Sequence, residues 1–144
     1  MRLNLTKQTV FAAMVLLAGA TNALAAGDAD NGKNLFKKCM ACHRIGDGAA
    51  NLVGPVLTGV IGRKAGTFEG FSYSTTMKNA GDQGLVWSAD NIKTYIADPD
   101  AFLQKFLTDK GKPELIADKA KMSFKLPPDV SADDIIAYLA TFSK

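Results

Sequence analysis

The sequence predicts an all-α domain of four to five helices joined by long loops. Three observations carry that expectation. Beyond residue 73, apolar residues recur at i, i+3 and i+4 behind serine or proline start signals. No stretch alternates apolar and polar residues convincingly over the length of a strand. Residues 44–70 hold seven glycines and Pro55 with no clean period, the composition of a loop that wraps something. A chain this rich in loop needs something besides its own side chains to fill its core. Its 144 residues suffice for one domain.

The first 25 residues do not read as part of that domain. Arg2 and Lys7 form a positive start, Val10 to Ala20 is an apolar run of 11 residues, and Ala23-Leu24-Ala25 is a small-x-small cleavage site. This pattern is a secretory signal peptide cut after Ala25, and the run is too short for a bilayer anchor. The mature chain is then 26–144, exported to a periplasm-like compartment. The leader holds two of the 17 basic residues and none of the 14 acidic ones, so the mature chain carries a formal charge of only +1. That balance excludes a nucleic-acid binder. The distribution says more. Lys37, Lys38, Lys105, Lys110, Lys112, Lys119, Lys121 and Lys125 flank one motif or a later loop, whereas Asp129, Asp133 and Asp134 cluster near the end. Such a dipolar chain can dock by one face; the alternative is an ordinary solvated lysine surface.

In chain order, Asp28 or Asp30 caps a first helix running to about Met40, with Leu35, Phe36 and Cys39 on one face. Gly32, one turn before Phe36, costs helix stability but lets another helix approach closely. After the glycine-rich loop, Tyr73 to Ala80 makes a short helix ended by Gly81. Ser88 caps the next, with an apolar stripe of Ile92, Tyr95 and Ile96. Pro99 closes it or starts a further helix carrying Phe102, Leu103 and Phe106. Thr108 to Lys125 reads as a polar loop stopped by Pro127-Pro128. Ser131 caps the last helix, with Asp134 as a capping-box analogue and Ile135, Tyr138, Leu139 and Phe142 inside.

One motif organises the chain: Cys39-Met40-Ala41-Cys42-His43. Two cysteines three apart share a helical face and present both sulfurs to one side. Each sulfur can form a thioether with a vinyl group of a haem, and the adjacent imidazole reaches the iron; this is the attachment pattern of haem c. It uses both cysteines and the one histidine of the chain. A zinc site wants four such ligands and no fourth Cys or His exists. A redox C-x-x-C of thioredoxin type wants a βαβ context, which is absent. The second axial position needs a soft donor, for which Met40, Met77 and Met122 are candidates. Met40 lies inside the tether, Met77 on a short helix, and Met122 at the end of a loop that can fold over the other haem face. As a plain residue, Met122 would be a core filler.

Taken in order, G-K-N-L-F-K-K-C-M-A-C-H, G-P-V-L-T-G-V-I-G-R-K-A-G, F-S-Y-S, Leu85-Val86-Trp87, T-Y-I-A-D-P, A-K-M and D-I-I-A-Y-L resemble a class I c-type cytochrome, nearest the bacterial c2 type. The resemblance covers essentially all of 26–144. It implies the cytochrome c fold wrapped round one covalent haem c, held through Cys39 and Cys42, with His43 and Met122 as axial ligands. It implies that the Pro55 carbonyl orients His43, that Arg63, Tyr73 and Trp87 lie near the haem propionates, and that Tyr95 lies near the Met122 sulfur. Gly32 and Phe36 would pack on Ile135 and Tyr138. Two positions depart from the family pattern: Met77 stands where an amide is common, and Ala120 where a hydroxyl is. Neither side chain can supply a strong hydrogen bond to the polar network there. The segment from Pro99 to Met122 is longer than in mitochondrial-type members, as expected for the bacterial c2 type with an insertion.

These readings imply no enzyme but a soluble, monomeric, periplasmic one-electron carrier. The resemblance suggests a cytochrome bc complex as donor and a photosynthetic reaction centre or terminal oxidase as acceptor. Docking would be transient, through lysines near the haem edge, Lys38 and Lys121 among them. The competing classes are a haem enzyme or gas sensor with an open distal site, which requires that Met122 not bind iron, and a tethered subunit that keeps Arg2–Ala25.

Overall fold

The computed structural model describes residues 27–143. The signal peptide expected at 1–25 lies outside the described residues. Five α-helices follow one another: α1 (Ala29–Leu35), α2 (Thr75–Asp82), α3 (Ala89–Ala97), α4 (Pro99–Asp109) and α5 (Ala132–Ala140). Two 3₁₀ segments, Phe36–Ala41 and Pro113–Leu115, extend α1 and follow α4. Among the described residues there is no strand, only an isolated antiparallel bridge between Lys64 and Val86.

Each helix starts on a side-chain cap. Asp28 accepts from the amides of Asp30 and Asn31, Ser74 from Met77, Ser88 from Asn91, Asp98 from Ala101 and Ser131 from Asp134. Such caps satisfy amides that the first turn cannot pair, and each is worth about 1 kcal/mol. Pro99 is the first helical residue of α4, where its missing N–H costs nothing.

Three boundaries and one cap depart from the sequence expectation. The first helix does not continue as α to Met40; it tightens to 3₁₀ at Phe36, a common ending for a short helix. The second helix does not end at Gly81. Gly81 lies inside it because a Cβ there would stand 2.1 Å from the Ala65 carbonyl oxygen. The chain turns instead at Gly84 (φ +93°), where the Gly84 and Leu85 amides donate to the Gly81 and Ala80 carbonyls in a Schellman arrangement. α4 overruns Thr108 and buries Leu107 beside Leu103. Asp134 does not complete a capping box. Its carboxylate leaves its own helix and accepts from the Asp28 amide (2.8 Å) and the Asn31 side chain (2.7 Å).

That carboxylate marks the main helix crossing, α1 on α5. A Cβ on Gly32 would lie 1.9 Å from the Asp134 carbonyl oxygen and 2.9 Å from Tyr138 Cβ, so glycine is required for the approach. Phe36 fills the angle with its ring centroid 5.3 Å from that of Tyr138. Ile135, Ile136 and Leu139 bury the inner face of α5, which also meets α3. The long loop 44–70 is tied to distant parts. The Gly62 amide donates to the Trp87 carbonyl (2.9 Å), Trp87 returns a bond to Arg63 (2.9 Å), and Ala65 donates to Leu85 (2.9 Å). A second loop is held to α2, whose Thr75 and Thr76 amides each donate to the Asp118 carboxylate at 2.8 Å.

Two predictions follow from the packing. Gly32→Ala must push α1 off α5 and should cost about 1–3 kcal/mol, the usual range for overpacking, in a denaturant titration. For Asp118, the amides of Thr76 and Thr75 pull the carboxyl down to about 2. A carboxyl depressed in the fold stabilises it above the unfolded value, about 4, and loses that contribution as pH falls through its folded value. Asp118→Asn should therefore be less stable than the wild type at pH 7. The gap, modest because the carboxylate is exposed, should close as urea titrations move from about pH 4 to pH 2.

Candidate haem site

The helices and loops enclose a cavity of ≈ 280 Å³. Its wall is largely apolar, with Phe36, Val60, Ile92, Leu126, Ile135 and Leu139 contributing. Into the same cavity face Cys39, Cys42, His43, Pro55, Arg63, Tyr73, Trp87, Tyr95 and Met122. All nine residues singled out in the sequence thus meet in one place, although up to 83 positions separate them.

The 3₁₀ form of Phe36–Ala41 explains how the two sulfurs arrive together. Side chains three apart eclipse in a 3₁₀ turn, whereas an α-helix offsets them. The turn closes with the amides of Cys42 and His43 both donating to the Cys39 carbonyl, at 3.1 and 2.9 Å. Burial, with the neighbouring Cys42 adding to it, pushes the Cys39 thiol up to about 11. The thiol is protonated and uncharged at neutral pH, as an apolar wall demands.

His43 is held by one short bond. Its Nδ1 lies 2.7 Å from the Pro55 carbonyl oxygen. A carbonyl has no proton to give, so the ring must donate from Nδ1, which leaves the Nε2 lone pair free for a metal. Burial lowers the imidazole pKa, opposed by the Pro55 bond, and keeps the ring neutral. The residue that aims the ring was not flagged in the sequence: Gly54. A Cβ there would lie 2.4 Å from His43 Cε1 and 2.7 Å from Nδ1, so the imidazole rests flat against bare backbone. Its G-P context was the available signal, but a glycine's packing partner is not written beside it.

The remaining wall groups are fixed by partners far along the chain. Arg63 donates from Nη1 to the Val56 carbonyl (3.1 Å) and lies over the Phe68 ring at 4.7 Å. Burial lowers its pKa, with Tyr73 opposing. Tyr73 takes the Phe68 amide on its hydroxyl at 3.3 Å, and burial raises its own pKa. Trp87, Tyr95 and Phe102 form an aromatic cluster, with the Trp87 and Tyr95 centroids 4.8 Å apart. Burial, reinforced by the Asp100 charge, pushes the Tyr95 phenol far up and keeps it neutral.

Of the three candidate methionines, Met40 is excluded by position: it is 46% exposed and does not reach the cavity. Met122 and Met77 both line it, Met77 from the buried face of α2. Ala120 does not line the cavity; its amide instead donates to Asp100 Oδ1 at 2.6 Å. At the mouth stand Lys38 and Lys121 with two exposed apolar side chains, Val53 (73% exposed) and Phe124 (38%). The wider lysine face is less free than its composition suggests. Lys105, Lys112 and Lys125 pair with Asp109, Glu114 and Asp98, and Lys121 donates to the Ser72 carbonyl.

The donor chemistry fits a haem. Two cysteine sulfurs, a neutral imidazole with a free lone pair and two thioethers share one mostly apolar cavity. Among the described residues no three His, Cys, Asp or Glu side chains are grouped to hold a bare ion.

Comparison with known proteins agrees. The cytochrome c family model matches residues 29–143. Cytochrome c2 iso-1 of Rhodospirillum centenum is 58% identical over 117 residues, covering 81% of this chain and 98% of the relative. Cytochrome c2 of Rhodopseudomonas palustris is 54% identical over 116 residues, 81% of each chain. The solved structure of cytochrome c2 from Rhodospirillum centenum superimposes with a TM-score of 0.79 at 53% identity, covering 82% of this chain and all of that one. Ferricytochrome c2 from Rhodopseudomonas palustris gives 0.75 at 54% identity, over 81% and 99%.

Gly54→Ala should swing the imidazole away from Pro55. In the haem-loaded protein, the His43 Nδ1 proton should then exchange with solvent at least about tenfold faster by NMR, as expected when one hydrogen bond of about 1.4 kcal/mol is lost.

Proposed function

The chain belongs to the cytochrome c family, and on that premise we propose that it is a soluble periplasmic one-electron carrier rather than an enzyme. Members of the family carry electrons on one covalently bound haem c. The observation that carries the proposal is the single cavity on which both cysteines, His43 and Met122 converge. When bound, the haem supplies an Fe(II)/Fe(III) couple.

The residues divide the remaining work. Cys39 and Cys42 would hold the haem through thioethers, which keep it in place independently of any bond to its iron. His43 offers Nε2 to the iron, and the Pro55 carbonyl sets its orientation and basicity. Met122 would offer the iron a soft thioether, a donor that favours the reduced state and raises the potential. It also leaves no open position for a substrate. Arg63, Tyr73 and Trp87 would serve the propionates, and Tyr95 the Met122 sulfur, all four lining the same cavity. Met77, in place of an amide, gives that side of the cavity a thioether where a hydrogen-bonding group would stand.

Docking would use the mouth. Lys38 and Lys121 present positive charge beside the apolar Val53 and Phe124, a small surface suited to a partner that must leave quickly. A cytochrome bc complex as donor and an oxidase or reaction centre as acceptor match this chemistry. No helix among the described residues is long and apolar enough to cross a membrane. Export rests on the leader pattern at 1–25, and N-terminal sequencing of the periplasmic product should begin at Ala26.

The ferric protein should show the weak red-end charge-transfer band of Met-ligated haem. Met122→Ala should lose that band and let the ferrous form bind carbon monoxide. A wild type that lacks the band and binds carbon monoxide would be a ligand-binding haem protein instead. Reduction by a bc complex should slow steeply as salt rises, since steering by exposed lysines is screened over about 10 Å at 0.1 M. Flat rates would remove the lysine face and leave the carrier function standing.

A further inference from the structure

The segment that carries Met122 has no secondary structure of its own. Among the described residues, no amide from Ala117 to Lys125 donates to a backbone carbonyl. Its position is set by side chains of other elements, and most of them converge on the start of α2. The Thr75 and Thr76 amides donate to Asp118 Oδ2 and Oδ1, both at 2.8 Å. The Thr76 hydroxyl donates to the Asp118 carbonyl (2.7 Å) and accepts from the amides of Ala117 (3.0 Å) and Asp118 (2.9 Å). A hydroxyl has one proton and two lone pairs, and this one spends all three on the loop. Thr76 is 1% exposed, so no solvent competes. α2 has no acidic residue in its own first turn; Asp118 brings the negative charge that a helix N-terminus favours from 42 positions away. Asn79 donates to the Leu115 carbonyl (2.8 Å) and Asp100 accepts the Ala120 amide (2.6 Å), which fixes the same segment on either side of the clasp.

We propose that the Thr76–Asp118 clasp is the positioning device for the Met122 loop, holding the thioether at the cavity and setting how often the second axial position opens. This rests on the reading of Met122 as an iron ligand. Neither residue lines the cavity, so both act through the loop.

The test uses the ferric holoprotein and the rate at which added imidazole displaces the thioether, which reads loop opening. Thr76→Val keeps the shape and removes the hydroxyl. Asp118→Asn keeps the size and removes the charge on an exposed side chain, so it folds even if the buried substitution does not. Thr76→Ser restores the hydroxyl. Ser88→Ala removes the cap of α3 and lowers general stability without touching the loop. Thr76→Val loses the three backbone partners of the hydroxyl and Asp118→Asn the charge that accepts two α2 amides, and each should speed imidazole binding at least about tenfold. Thr76→Ser and Ser88→Ala should bind at the wild-type rate. Wild-type rates in Thr76→Val and Asp118→Asn, or an equal acceleration in Ser88→Ala, would overturn the clasp. A wild-type protein without the Met–iron band would instead overturn the Met122 assignment on which it rests.

Discussion

The close crossing of α1 and α5 is the constraint on which the site depends. It requires backbone against backbone: Gly32 leaves no side chain between α1 and the Asp134 carbonyl, and the Asp134 carboxylate then binds the start of α1 through Asp28 and Asn31. Phe36 locks the angle against Tyr138. The turn that bears Cys39, Cys42 and His43 emerges directly from this crossing. Moving α1 by the width of one methyl group would carry both sulfurs and the imidazole with it.

The two long loops are held by a different means. Both add side chains and carbonyls borrowed from distant elements to what they pair within themselves. Loop 44–70 hangs on Leu85 and Trp87, while inside it Thr58 brackets Gly46 from both sides and Asn51 holds Val56 and Glu69. The loop before α5 hangs on Thr75, Thr76, Asn79 and Asp100. Each borrowed bond satisfies a polar group that an apolar cavity wall could not, which is why so little regular structure encloses so apolar a space.

The two sides of the candidate site therefore differ in kind. His43 sits on a short helical turn, braced by Gly54 and Pro55 within 12 positions. Met122 sits on a segment whose support comes from 42 and 20 positions away. The first should be rigid and the second should open more readily, because an isolated loop has few cooperative contacts to lose.

What could be read in the chain was chemistry and period. The C-x-x-C-H spacing named the cofactor, the order of weak motifs named the family, and the caps at Asp28, Ser88 and Ser131 located three helix starts. These are local signals, decided by neighbours within one turn. Less legible were relations between remote segments. Asp134 looked like a box for its own helix, yet a better donor pair waited on α1. Gly81 looked like a stop, yet the Ala65 backbone needed its missing side chain. Gly54 stood in a G-P pair that did not name its partner, and Asp118 carried no pattern at all. By itself, then, the sequence determined the cofactor and where most helices would begin. Only the tertiary structure decided which backbone would press against His43 and which side chain would hold the Met122 loop, because those partners meet by folding and not by adjacency.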